Sequence, residues 1–226
     1  MLALHDHQEY LQKHLTIWKK LEDRDKRELL AATSLVVYKQ GEIILSKEKE
    51  CNGLVLVKSG QLRAFFELED GKEITLYRLL SNDICILTAS CVIRNLTFDI
   101  TLEAEKDSVL YIVSPVYWGH LTDKNPAVKD FSMELVSGRF SEVMWVMEQL
   151  ITKNMRQRTA SFLLEQSILE ASDTLSMTHE SIAKNLGTAR EVISRILKYL
   201  ENDGVIQLSR GRITIIDLKK LKEISN

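Results

Sequence analysis

The 226-residue sequence predicts an α+β chain: a small antiparallel β domain, one long helix, and a compact helical domain closed by a hairpin. Three observations carry this. Short β runs separated by turn residues fill positions 35 to 114, an apolar seam with alternating steps of three and four runs from Met133 to Leu150, and two short amphipathic segments meet at Gly187. Periods of two and of 3.6 residues therefore succeed one another along the chain.

The elements follow in order. Leu15, Trp18, Leu21, Leu29 and Leu30 recur at helical spacing within residues 14–33. Strands are expected at Leu35–Lys39, Ile43–Leu45, Gly53–Lys58, Leu62–Glu67, Glu73–Leu80, Phe98–Ala104 and Ser108–Val113, with turns at Gln40-Gly41, Ser59-Gly60 and Asp70-Gly71. Asp-Gly suits a hairpin because a tight turn needs positive φ. So many short strands read as an antiparallel sandwich or barrel. The β texture stops at Pro115. Met133, Val136, Phe140, Val143, Met147 and Leu150 then form a heptad seam, and the next step lands on Asn154. Such a helix is about 40 Å long. Packing on its own β domain would explain an apolar face, but a 3-4 seam over three heptads favours a second copy of the same helix, so these six residues are the expected dimer interface. Helices follow near 155–171, 179–186, 189–202 and 217–224, with a hairpin near 205–216. The expected domains are 1–126, 127–154 for the dimerisation helix, and 155–226.

The stretch from Met177 to Leu200 is where chemistry concentrates. Thr178 suits an N-cap that accepts from the Ser181 amide. Ile182, Ala183 and Leu186 give a short helix one buried face, Gly187 supplies the turn, and Thr188 is placed to cap a second helix. That helix buries Val192, Ile193, Ile196, Leu197 and Leu200, leaving Arg190, Glu191, Ser194, Arg195 and Lys198 outside. A recognition helix puts its N-terminal half into the major groove, so the first four are the expected base readers. Arg can donate to guanine O6 and N7, and Glu can accept from cytosine N4. Lys198 is better placed for phosphate. Ser209-Arg210-Gly211-Arg212 forms the turn of the hairpin, or wing, where Arg210 and Arg212 either reach phosphate or are ordinary surface charges.

Bulk composition narrows the classes. With 45% hydrophobic residues and two prolines, the chain can build a core, and disorder is not expected. No apolar run approaches the roughly 20 residues a membrane helix needs, and the first residues lack a signal-peptide pattern, so a cytoplasmic protein without membrane contact is expected. Residues 152–226 carry a formal charge of +3 and the remainder −5. That asymmetry fits a DNA footprint or a solvated surface equally well. Three cysteines (Cys51, Cys85, Cys91) suit a reducing compartment rather than a disulfide framework.

At the run from Leu186 to Leu197, and again at Arg210-Gly211-Arg212-Ile213, the sequence resembles the CRP/FNR family. The resemblance spans nearly the whole chain. It implies a β-roll of the double-stranded β-helix type that senses an effector, a long dimerisation helix and a winged helix-turn-helix. Carried over, Arg190, Glu191 and Arg195 read bases while Thr178, Thr188 and Lys198 contact phosphate, on a palindromic operator with a half-site containing TGA. Glu191 with Ser194-Arg195 is similar to the FNR branch, and Arg190 to the cyclic-AMP-receptor branch. The phosphate cassette of cyclic-nucleotide binders has Gly-Glu, then Arg and a small residue. The corresponding stretch, Asp83 to Phe98, has no Gly-Glu, and Arg94 is followed by Asn95. Cyclic AMP is therefore not the expected effector. Three cysteines cannot supply four cluster ligands. Cys85, Cys91 and Cys51 are candidate redox sensors, one of them could ligate haem with His120, or they are small buried apolar residues.

No resident cofactor is expected. Expected partners are double-stranded DNA, a second copy of the chain, RNA polymerase and a small-molecule effector that the sequence does not identify. An enzyme using the barrel as a metal cavity is disfavoured, because none of the five histidines (His5, His7, His14, His120, His179) lies in an expected strand. A nonspecific architectural DNA binder would need neither the β domain nor the seam.

Overall fold

The computed structural model describes residues 2–46, 53–86 and 100–226, with side chains from residue 7 onward. The chain divides into two compact units, Met1–Phe65 with Leu76–Glu142, and Phe66–Thr75 with Val143–Asn226.

The first unit opens with α1 (Leu2–His14), a 3-10 turn at Thr16–Lys20 and α2 (Asp23–Ala31). An antiparallel sheet follows: β1 (Thr33–Tyr38), β2 (Ile43–Leu45), β3 (Leu54–Glu67), β4 (Glu73–Leu79), β5 (Ile84–Cys85) and β6 (Thr101–Val113). Its order is β1-β6-β3-β4, with β2 also on β6 and β5 on β3. Two runs expected as four strands are thus the continuous β3 and β6. The Ser59-Gly60 pair does not end a strand. It makes irregular steps in the β3–β6 register between Val57 and Leu62. Gly60 is required there: its φ is +102°, and a Cβ would lie 2.5 Å from the Asp107 carbonyl oxygen. A bulge bends a strand without terminating it.

Opposite faces of this ladder bury different chemistry. Leu62, Ala64, Leu102 and Ala104 are fully buried. On the alternate positions Arg63 pairs with Glu103 at 2.8 Å, and Arg78 with Glu105 at 2.7 Å, where Gln61 also donates to Glu105. Burial pushes the Glu105 carboxyl up, but the Arg78 and Gln61 hydrogen bonds and the nearby guanidinium charges outweigh it and hold the group below its ordinary value. Helices cover the other end of the core, where Leu11, Leu15, Trp18 and Leu29 pack with Leu54, Leu56, Tyr111 and Val113.

Then α3 (Pro115–Lys124) leads into α4 (Pro126–Thr152), the expected long helix. Its first turns bury Val128, Phe131 and Ser132, and Ser132 Oγ accepts from Trp118 Nε1 at 3.2 Å. Arg139 donates to the Ile84 carbonyl and lies 4.9 Å from the Tyr77 ring. Cys85 is buried on β5 with Sγ 3.9 Å from Tyr77 Oη, and burial holds that hydroxyl well above its ordinary pKa. His120 lines a cavity of about 420 Å³ with Arg24, Asp25, Tyr117 and Lys124, and Cys85 is not part of that lining. Cys51, Cys91 and most of the cassette stretch, Leu87 to Phe98, lie outside the described residues.

Candidate nucleic-acid interface

The second unit is built around α5 (Met155–Glu170), β7 (Thr174–Leu175), α6 (His179–Asn185), α7 (Arg190–Asn202), β8 (Ile206–Ser209), β9 (Arg212–Ile215) and α8 (Leu218–Ser225). Asn154 separates α4 from α5 by a complete capping box. Its Oδ1 accepts from the Arg156 and Gln157 amides, and its own amide donates to Gln157 Oε1 at 3.0 Å. Leu163, Leu175, Ile182, Ile193, Leu197, Leu200, Val205 and Ile213 form the core. The strands make one antiparallel sheet in the order β7-β9-β8.

Locally the helix-turn-helix follows the sequence closely. Thr178 Oγ1 accepts from the Ser181 amide at 3.0 Å, as its position predicts. Gly187, at φ +65°, makes the turn, and Arg158 Nη2 donates to the Leu186 carbonyl at 2.8 Å. Thr188 is a correction. The N-cap of α7 is Ala189, with no side-chain cap, and the helix starts at Arg190. The Thr188 amide is used instead to close the turn on the Ala183 carbonyl at 3.0 Å. This leaves the Thr188 side chain one position too early to reach the first free amides of α7.

The apolar residues of α7 point inward, with Ile193, Ile196, Leu197 and Leu200 buried. Arg190, Glu191 and Arg195 are exposed and Ser194 is half-buried. Ser194 is not a free hydroxyl: its Oγ lies 2.9 Å from His179 Nδ1, on the first residue of α6. Lys198 is exposed and pairs with Glu201 at 2.9 Å. Glu201 also accepts from the Leu208 amide at 3.0 Å, tying α7 to the wing. The Lys198 and Leu208 bonds hold the Glu201 carboxyl below its ordinary pKa. Arg210 and Arg212 flank the wing turn and are exposed.

The start of α6, the start of α7 and the wing enclose a concavity of about 550 Å³ lined by Thr178, His179, Arg190, Arg210, Gly211 and Arg212, among others. Thr178, Arg190, Arg210 and Arg212, separate in sequence, are thus brought to one groove. Glu191, Ser194 and Arg195, as well as Thr188 and Lys198, do not line it. His179 was missed in the sequence because its partner lies 15 residues away on another helix, and no local pattern marks the pair.

A capped helix, a glycine turn, a second helix with its polar face outward and a three-stranded wing define a winged-helix DNA-binding protein. Residues 157–224 match the Crp-like helix-turn-helix domain, and residues 35–125 match the cyclic nucleotide-binding domain. A CRP/FNR-family protein from Eubacterium rectale has a crystal structure 41% identical to this chain. The likeness covers 94% of this chain and 99% of that one, with a TM-score of 0.91. The cyclic AMP receptor protein of Thermus thermophilus is 27% identical over 198 residues, 84% of this chain and 87% of that protein. The transcriptional regulator SdrP of the same organism is 32% identical over 104 residues, 43% of this chain and 51% of SdrP, so that match spans about half of SdrP. The chain belongs to the CRP/FNR family of transcriptional regulators. It is a regulator rather than an enzyme. Among the described residues no helix is long and apolar enough to cross a membrane, and no group of three or more His, Cys, Asp or Glu is placed to hold a metal ion.

Proposed function

We propose that the chain acts in the cytoplasm as a homodimer on a palindromic operator, with Arg190, Glu191, Ser194 and Arg195 reading bases and Thr178, Arg210 and Arg212 contacting phosphate. The observation that carries this reading is the groove at the start of α7, where exposed Arg190 of the helix meets exposed Arg210 and Arg212 of the wing, with Glu191 and Arg195 exposed on the same helix outside its lining. Cations on such a groove position the protein on the backbone, and polar side chains in the first helical turns supply sequence. Lys198 joins the phosphate set by exchanging Glu201 for a phosphate oxygen, which the exposure of the Lys198 ammonium permits. Thr188 reaches phosphate through its side chain alone, since its amide is used in the turn.

The dimer rests on α4, whose Met133, Phe140 and Met147 stand exposed while Val136, Val143 and Leu150 are half-buried. The effector is something other than cyclic AMP, because the cassette stretch lacks both the Gly-Glu pair and the small residue after its arginine. Its binding changes how paired α4 helices meet, and so how two recognition helices are spaced. RNA polymerase is the further partner of a regulator bound in this way. A thiol switch at Cys85 is a subsidiary reading; it fails if diamide leaves operator affinity unchanged.

Selection from a randomised duplex library followed by footprinting tests the main reading. The expected result is an inverted repeat around TGA, with half-sites about 10 bp or one helical turn apart. Equal affinity for all duplexes would refute it. Calorimetry with cyclic AMP showing micromolar binding would refute the effector assignment alone.

A further inference from the structure

We infer that His179 is a specificity-determining residue: it fixes the Ser194 hydroxyl so that this side chain reads an exocyclic amino group at one base pair of each half-site. The inference rests on the DNA-reading face proposed above and deepens it. Ser194 follows Arg190 and Glu191 by one helical turn and neighbours Arg195 on that face, yet its Oγ already lies 2.9 Å from His179 Nδ1. The histidine ring is half-buried, and the same residue lines the groove with Arg190, Arg210 and Arg212.

The bond direction follows from what the groove is built to hold. Phosphate oxygens only accept hydrogen bonds, so a ring that meets one must carry its proton on Nε2. A ring with that single proton has a bare Nδ1, and Ser194 then donates its only proton to it. Only lone pairs remain on Oγ for the major groove, where the donors are adenine N6 and cytosine N4. An untethered serine can rotate to donate or accept and so serves either partner of a base pair. Holding the rotor therefore turns a permissive contact into a selective one, and links it to the backbone through the other ring nitrogen.

The test uses the full-length chain and its variants His179→Ala, Ser194→Ala, the double variant and His179→Asn, each put through the same duplex selection. Wild type is expected to discriminate about tenfold at one pair per half-site, the size of one good base contact. His179→Ala and Ser194→Ala should each flatten that pair, and the double variant no further, as for two residues acting as one unit. His179→Asn should restore the preference, since its Oδ1 can accept from Ser194. Each variant should stay folded, with Tm lowered by no more than the loss of one part-buried hydrogen bond, and His179→Asn should recover the base preference, which a merely structural role would not give. Removing the amino group of that pair with a base analogue should weaken wild type about tenfold and leave Ser194→Ala unmoved. Wild-type preference persisting in His179→Ala overturns this inference alone, as does a loss seen only when the keto oxygen of the pair is removed. A wild-type chain that selects no sequence overturns the DNA-reading proposal and this inference with it.

Discussion

Replacing Asn154 by alanine removes the cap of α5 without touching the core. Oδ1 accepts two amide hydrogen bonds, 3.0 Å from Arg156 and 3.1 Å from Gln157, and alanine leaves both donors to water. The reciprocal bond from the Asn154 amide to Gln157 Oε1 survives, because it uses the backbone. Losing an N-cap side chain of this type costs about 1 kcal/mol. In a domain of about 100 residues that corresponds to about 4–8 °C in Tm. Circular dichroism or scanning fluorimetry measures it, with Asn154→Asp as the control, since aspartate keeps the acceptor and favours the positive end of the helix. Asn154→Ala melting with wild type, or Asn154→Asp melting with Asn154→Ala, would refute the reasoning. Either result would mean that the α4–α5 break is held by packing rather than by its cap.

Further outcomes are expected. Gly187→Ala should destabilise the helix-turn-helix by more than 1 kcal/mol, about the cost of placing a Cβ at φ +65°; chemical denaturation measures it, and an unchanged midpoint would sink the assignment of the turn. Arg195→Ala should lower affinity for the selected operator by about 1–3 kcal/mol and relax one base pair. Arg210→Ala should weaken all duplexes alike and reduce the salt slope by about one, and fluorescence anisotropy across salt concentrations separates the two. Glu105→Gln should be less stable than wild type at neutral pH, because a carboxyl held below its ordinary value contributes stability that is present above that value. The gap should persist down to the ordinary glutamate value of 4.5 and close as pH falls through the lowered folded value. A gap that widened on acidification would have the wrong sign.

The elements legible in the sequence are those whose pattern is local and long. α7 announces itself by Ile193, Ile196, Leu197 and Leu200 on one face and charges on the other, and it appears within a residue of its expected start. α4 likewise runs Pro126–Thr152 against an expected 127–154. Misses occur where the deciding interaction lies far along the chain. β5 and β7 have two residues each, too short for alternation to register. β3 reads as two strands because Gly60 looks like a turn until Asp107 and Ser108 are seen pressed against it. No local pattern marks Arg63 and Glu103 as a buried ion pair, because the two lie 40 residues apart in the sequence. The candidate site divides in the same way. Arg190, Glu191 and Arg195 are visible from helical phase alone, whereas the His179–Ser194 contact needs two helices to be crossed first.

The burial pattern along α4 fits the proposal that one helix carries two tasks. At its start the inward residues are Val128, Phe131 and Ser132, and Val136 still packs on the core that holds Trp118 and Leu121. One turn from Val136, Phe140 is 63% exposed, and Met133 and Met147, one heptad to either side, are 57% and 46% exposed. A helix committed only to its own core would bury one stripe and turn charges outward. Here Met144, Trp145 and Ile151 are exposed as well, so apolar surface wraps more than one face of the second half. Water-facing Phe and Trp in such a row are costly to leave uncovered and mark an interaction surface. The seam residues repeat every seven positions, and the proposed second copy of the same helix would meet that repeat with its own. Phe140→Glu should therefore yield monomers in sedimentation equilibrium while the separate chain keeps its fold. A dimer as tight as wild type would place the partner on a different face.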